Sequence, residues 1–324
     1  MKLFSKQFNY KYLENISFES HGLDHNETCI LICLSGYETR SRFFIESISE
    51  PNIFYNHYFL FNYQELKTKL AREDNDSLFK SYFPKIHEYS INDEKKILMD
   101  IVGYIKQIRL SNQKRITIDI DISSMPRYIY CSLPLELGPC LAENDTVRIF
   151  YSIGKYNLDK FPTIGTSEFK LFSGQLSLLP VNRTHLIGLS FDAMRTEGII
   201  NFFDPRYLVT YYTIPAATKE YEDKILFNNS DIINKSDISF QLSFFDFEDS
   251  LSKLIAICKD IIESSDICII PDGPKNIILL ASLIPNILCR RGIVCFHVSP
   301  NRSKRIPPID TLPNGKILGF KLIK

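Results

Sequence analysis

The sequence predicts an α/β protein of two tandem Rossmann-like units with mainly parallel sheets, and three observations carry that reading. Short β-branched and aromatic runs alternate with longer segments of helical periodicity. The order of these elements in the first half recurs in the second. Polar, turn-forming residues interrupt the apolar runs where the strands should end.

In the first half, strands are expected at Thr28 to Leu34, Tyr58 to Asn62, near His87 to Ser90, Arg115 to Ile120 and Val147 to Ser152, with helices between them. The clearest helix is Asp93 to Leu110: Ile97, Ile101, Ile105 and Ile108 share one face, Lys95, Lys96, Lys106 and Gln107 lie largely off it, and Asp93 can cap its start. The second half repeats the order with a strand at His185 to Ser190, a helix near Met194 to Phe203, and strands at Tyr207 to Thr213 and near Ser239 to Leu242. A helix from Phe247 to Ser264 carries Leu251, Leu254, Ile255, Cys258 and Ile261 on one side. The strand Asp266 to Ile270, a helix from Lys275 to Leu288 and the strand Ile293 to Val298 follow. The spacing from Leu34 to Leu189 and that from Asp121 to Asp272 agree to within a few residues, which is the positional evidence for an internal duplication. Residues 156–183 hold Pro162, Gly165, Gly174 and Pro180 with little periodicity. They are expected to link a first unit, 1–155, to a second, 184–324.

The chain has 324 residues, enough to bury a core without disulfide or metal staples, and 44% of them are hydrophobic. Its 38 basic and 38 acidic side chains balance, which argues against a protein whose main task is coating nucleic acid or lying on an anionic membrane. The opening residues lack the apolar run of a secretory signal, and no stretch reaches the length that spans a bilayer, so a cytoplasmic location is expected. Cys29, Cys33, Cys258, Cys268, Cys289 and Cys295 lie within apolar runs and read as buried thiols.

In open parallel sheets, ligands bind outside the carboxyl ends of strands, where loops enter helix N-termini. Four such loops are unusually polar. The first, Ser35 to Arg42, offers Gly36 for close backbone approach, Tyr37, and the guanidinium forks of Arg40 and Arg42 for a phosphate or carboxylate. The same residues also suit a helix cap with solvated arginines paired to Glu38 or Glu46. The second, Asp119 to Arg127, places Asp119 and Asp121 on one side of a strand, where a buried carboxylate needs a partner. Ser123 and Ser124 can then cap the following helix or donate to a phosphate, and Arg127, one turn in, can reach the same place. The third, Pro271 to Lys275, holds Asp272 and Gly273 in the turn. Lys275 falls in the first helical turn, where a cation is disfavoured without an anion unless it extends into solvent. The fourth, Ser190 to Gly198, mirrors the first with Arg195 but lacks its glycine.

A strand followed by Asp121-Ile122-Ser123-Ser124-Met125-Pro126-Arg127, downstream of the first-strand loop Ser35 to Arg42, resembles the CRISPR-associated Rossmann fold (CARF-like) nucleotide-sensing domains of bacterial defence systems. Where that family carries a glycine pair, this chain has Ser124-Met125. The resemblance implies paired Rossmann units, a nucleotide-like ligand and a protein partner encoded in a defence operon.

Two function classes stand open. In one, the chain is a sensor or accessory component of antiviral defence that binds a nucleotide or other phosphorylated ligand between two lobes. The ligand-binding residues are then Gly36, Tyr37, Arg40, Arg42, Ser123, Ser124, Arg127, Asp272, Gly273 and Lys275. In the other it is an enzyme for phosphoryl or nucleotidyl chemistry. Glu38 and Asp121 act as catalytic groups, and Asp119 and Asp121 are hard oxygen ligands suited to Mg²⁺.

Overall fold

The computed structural model describes residues 1–3, 8–20, 22–24, 26–48, 55–63, 68–83, 87–90, 94–111, 113–158, 166–178, 182–300 and 309–324. Its strands are β1 (Tyr12–Ser17), β2 (Thr28–Ser35), β3 (His57–Asn62), β4 (His87–Ser90), β5 (Ile116–Asp121), β6 (Thr146–Lys155), β7 (Thr166–Gln175), β8 (Arg183–Gly188), β9 (Tyr207–Thr213), β10 (Ile238–Leu242), β11 (Asp266–Ile270), β12 (Ile293–Pro300) and β13 (Leu312–Ile323). Its helices are α1 (Phe43–Ser47), α2 (Arg72–Tyr82), α3 (Glu94–Ser111), α4 (Arg127–Leu137), α5 (Ala193–Phe203), α6 (Lys219–Lys235), α7 (Phe247–Ile262) and α8 (Lys275–Leu288).

The strands form two mainly parallel sheets. A 7-stranded sheet runs β1-β13-β6-β5-β2-β3-β4 and a 6-stranded sheet runs β10-β9-β8-β11-β12-β7. Counting each sheet's parallel strands along the chain, both read third, second, first, fourth, fifth. This is the Rossmann-like order, and it appears in both halves. The central strands explain themselves by composition: β2 (TCILICLS) and β5 (ITIDID) are buried at every position, as a parallel strand covered on both faces requires. Cys29, Leu31 and Cys33 of β2 pack with Phe44, Ile45, Phe79 and Phe150. On α3 the buried face is Ile97, Leu98, Ile101, Ile105 and Ile108, as the spacing predicts; Asp93 lies outside the described residues. The predicted stripe on α7 buries Leu251, Leu254 and Cys258 and adds Phe247. Among the described residues no helix is long and apolar enough to cross a membrane, and all eight cysteines are free thiols.

The connectivity departs from a plain tandem at one place in each half. β7 follows β6 in sequence but pairs antiparallel with β12, while β13 follows β12 and pairs antiparallel with β6. One compact unit therefore comprises residues 9–156 and 307–324; the other comprises 157–306 with Met1, Leu3 and Phe8. The segment 156–183, read from its turn residues as a linker, contains β7, and the last residues of the chain group with the first unit rather than the second. Antiparallel pairing across this much sequence leaves no local signature. An alternating strand looks the same whichever sheet it joins.

In the second unit, β8 buries His185 at 4% exposure beside the Phe203 ring, 5.2 Å away, with Nδ1 making no hydrogen bond. Burial, aided by Arg183, lowers its pKa from 6.5 to about 4. The folded state thus holds the ring neutral while the unfolded chain takes up a proton below about pH 6.5, so stability is complete above that value and falls as the pH drops toward 4. Between pH 7 and pH 5 the expected loss is about 2 kcal/mol. His185→Leu should flatten this dependence in urea titrations; a variant as acid-sensitive as the parent would show that another group is responsible.

Candidate ligand-binding crevice

The strand order of the first sheet reverses between β2 and β5. Chain leaving β2 turns toward β3 on one side, and chain leaving β5 turns toward β6 on the other, so a crevice opens at the carboxyl ends of these two strands. Both polar loops singled out in the first half emerge there, and they touch: a Cβ on Gly36 would lie 2.9 Å from the Ser124 Cβ and 3.2 Å from its Oγ. Only glycine permits that approach.

The loop after β2 is held from within. The Ser41 Oγ accepts from the Gly36 amide at 2.9 Å and donates to the Leu34 carbonyl at 2.6 Å. Buried Asn75 of α2 donates from Nδ2 to the Gly36 and Glu38 carbonyls at 2.9 and 3.0 Å. The Ser35 hydroxyl donates to Asp76, which Arg72 also engages at 2.9 Å. Tyr37 lies half-buried with its ring 6.3 Å from that of Tyr63, and burial together with Glu38 raises its hydroxyl pKa.

Arg40 differs most from expectation. It is only 3% exposed, and its guanidinium is committed: Nε donates to Glu38 at 2.7 Å and Nη1 to the Tyr156 hydroxyl at 2.9 Å, with the Tyr151 ring centroid 5.8 Å away. Burial opposes its charge, but Tyr156, Glu38 and Tyr151 outweigh that cost and keep it protonated. A side chain so enclosed is a structural post for the loop. Glu38 is likewise engaged, accepting from Arg40 and from the Thr311 hydroxyl at 3.0 Å. Arg42 remains half-buried, pairing with Glu46 one turn on at 3.1 Å. The pairing partners are those of the alternative that the sequence offered for this loop, but Arg40 is buried rather than solvated and neither Glu38 nor Arg42 makes a side-chain cap bond.

The loop after β5 separates the two predicted carboxylates. Asp119, fully buried, accepts from Arg148 Nε and Nη2 at 2.6 and 2.8 Å and from the Tyr55 hydroxyl at 2.6 Å. Asp121 accepts from the Ser123 amide at 3.0 Å and from the Ser123 hydroxyl, whose oxygen in turn receives the Ser152 amide at 2.8 Å. Among the described residues no three His, Cys, Asp or Glu side chains converge as a metal group. Glu38, read as a catalytic group, and Asp119 and Asp121, read as Mg²⁺ ligands, are each engaged by different partners. What the crevice leaves unspent are neutral donors and acceptors. The buried oxygens Ser124 Oγ, Ser152 Oγ and Asn75 Oδ1 make no hydrogen bond. Pro126 is the N-cap of α4 and supplies no side-chain cap, and half-buried Arg127 is the first helical residue.

The second unit repeats the arrangement between β8 and β11. Pro274 caps α8 as Pro126 caps α4, with ψ of 145 and 146, and Lys275 stands where Arg127 does. Buried Asn229 of α6 donates to the Ser190 carbonyl at 2.9 Å as Asn75 does to Gly36. Here the crevice is bridged. Arg195 donates to the Val298 carbonyl at 3.2 Å and sits 3.6 Å from Asp272, while Gly273, at φ +101, brings its backbone against the Leu189 carbonyl. His297 stacks on Phe172 at 4.1 Å and bonds to Ser282 at 3.0 Å inside the core. Signals that sequence reading missed are Asn75, Tyr151, Tyr156, Gly154, Asp310 and Thr311. All of them converge on the first loop from distant parts of the chain.

No family model matches the chain, and no curated protein matches it. Among solved structures, a universal stress protein from Archaeoglobus fulgidus DSM 4304 aligns over 86% of this chain and 98% of its own, at 9% identity and a TM-score of 0.24. Haemonchus contortus phosphoethanolamine N-methyltransferase 1, in complex with phosphoethanolamine and S-adenosylhomocysteine, aligns over 93% and 89% at 7% identity and a TM-score of 0.22. A keto acid-selecting NRPS module with adenylation, ketoreductase and pseudo Asub domains aligns over 85% and 33% at 7% identity and a TM-score of 0.19. Likeness this slight carries no functional argument.

Proposed function

We propose that the chain binds a nucleotide-like, phosphate-bearing small molecule in the β2–β5 crevice of the first unit, and serves in the cytoplasm as a sensor or accessory component of bacterial antiviral defence with a protein partner downstream. The observation that carries the reading is the meeting of two polar loops, at Gly36 and Ser124, where the strand order reverses. Arg127, half-buried in the first turn of α4, brings a guanidinium to the same helix N-terminus. Ser123 is committed to Asp121, so within this loop the ligand contacts we assign are Ser124 Oγ, the Arg127 side chain and the first amides of α4. The resemblance of Asp121 to Arg127 to CARF-like domains supports the nucleotide class and the defence setting.

Thermal-shift screening against mononucleotides, dinucleotide cofactors, nucleotide sugars and cyclic oligonucleotides tests the reading. A ligand at about one hundred times its Kd adds about 2.7 kcal/mol, readily seen as a Tm shift. Arg127→Ala is expected to weaken binding about tenfold or more, measured against that variant's own ligand-free Tm. Equal affinity in Arg127→Ala would remove this crevice as the site.

A further inference from the structure

The loop after β2 is fastened by a segment from the far end of the chain. Asp310 accepts from the Thr39 amide and from the Thr39 hydroxyl, both at 2.7 Å. The Thr311 carbonyl accepts from the Arg40 amide at 3.0 Å, and the Thr311 hydroxyl donates to Glu38. Four hydrogen bonds thus tie residues 38–40 to two consecutive residues.

Three features mark this fastening as one that opens by itself. The segment is held by polar bonds more than by apolar burial: Thr311 is buried, but Ile309 and Leu312 on either side are 42% and 52% exposed. It is also uncoupled from the rest of β13. Leu312 and Pro313 pair with Lys155 and Gly154, the ladder then breaks, and regular pairing resumes only at Ile317 opposite Ser152. The break contains Gly315, at φ +90 and with open space around it, so residues 309–313 can peel away while 317–323 stay in the sheet. Finally, the seat is shaped for this segment alone. At Gly154 a Cβ would meet the Thr311 methyl at 2.5 Å and Arg40 Nη1 at 2.8 Å.

We propose that residues 309–313 form a strap that closes over the Glu38–Arg40 segment and controls entry to the first unit's crevice, with residues 314–316 as its hinge. The strap itself follows from the bonds just given; its role as a gate rests on the ligand site proposed above. Opening costs the four hydrogen bonds and the short ladder of Leu312 and Pro313 with Lys155 and Gly154, and leaves the Arg40–Glu38 pair and the ladder from Ile317 to Ile323 intact, an event far cheaper than unfolding.

Hydrogen exchange on the full chain tests the strap without any ligand. In the parent, the Thr39 and Arg40 amides should exchange by local opening, faster than those of β2. In Asp310→Ala, exchange at Arg40, whose own acceptor is the untouched Thr311 carbonyl, should accelerate about tenfold or more, with β2 and Ile317–Ile323 unchanged. Gly154→Ala should do the same from the opposite side by unseating Thr311. Exchange of Arg40 in step with β2 in the parent, or an Arg40 rate unmoved by both substitutions, overturns the strap. The gate is read separately with inorganic pyrophosphate. It should slow exchange at Gly36–Arg42 in the parent and less so in Asp310→Ala. An equal effect in both proteins overturns the gating role, and no effect in either counts against the ligand site while the strap stands on the first measurement.

Discussion

Arg148→Ala should destabilise the first unit by about 3–5 kcal/mol, the largest single-residue loss outside the apolar core. Asp119 is fully buried in β5, directly across the ladder from Arg148 of β6, and accepts both of its guanidinium bonds. Truncating the arginine leaves a buried carboxylate without its cation, although the Tyr55 hydroxyl still donates to it at 2.6 Å, and the cost is that of a buried charge stripped of its counter-ion rather than of one lost contact. Removing both charges is a different experiment. The pair Asp119→Leu with Arg148→Met exchanges the ion pair for apolar volume and should recover most of the loss. Urea unfolding of the two single variants and the double distinguishes these outcomes. A double variant no better than Arg148→Ala would show that shape rather than charge is at stake.

Arg40→Ala comes second, with an expected loss of about 2–4 kcal/mol concentrated in the first unit. The guanidinium satisfies Glu38 and the Tyr156 hydroxyl at once and lies against the Tyr156 ring with its centroid 5.5 Å away. Arg40→Lys is not expected to rescue it, because an ammonium lacks the planar fork that reaches a carboxylate and a phenol together. The contrast with Arg127→Ala is the useful part. One arginine is a post whose loss should lower stability, the other a proposed contact whose loss should lower ligand affinity. Parental stability in Arg40→Ala would mean that the loop holds itself without the post.

How much of this was legible in the sequence depends on distance along the chain. The strands β2, β5, β8 and β11 are short, apolar and bounded by turn residues, so composition places them and the polar loops at their ends. The repeated order is legible for the same reason. α6 carries a thin apolar stripe of Tyr221, Ile225 and Ile232 among charged residues and escaped notice. Partners were out of reach. That Asp119 needed one followed from its burial, but that Arg148 supplies it is fixed by ladder register, which no local pattern encodes. Arg40 and Arg42 sit two residues apart in one polar run, yet one is enclosed by Tyr151, Tyr156 and Thr311 and the other is half-buried beside Glu46. The tyrosines come from β6 and just beyond it, and the threonine from next to β13, so the enclosure exists only once β13 has joined the first sheet. The exchange of β7 and β13 between sheets is the feature the sequence hides most completely, and it decides which residues surround the crevice.

The measurement that bears most directly on the ligand site is a hydrogen-exchange footprint of the full chain with the tightest nucleotide from the thermal screen. Protection is predicted at Gly36–Arg42 and at Ser123–Tyr128, the two loops that meet at the strand-order reversal, with the bridged crevice around Asp272 little changed. Protection confined to other segments, or no nucleotide in the panel that binds at all, would contradict the assignment.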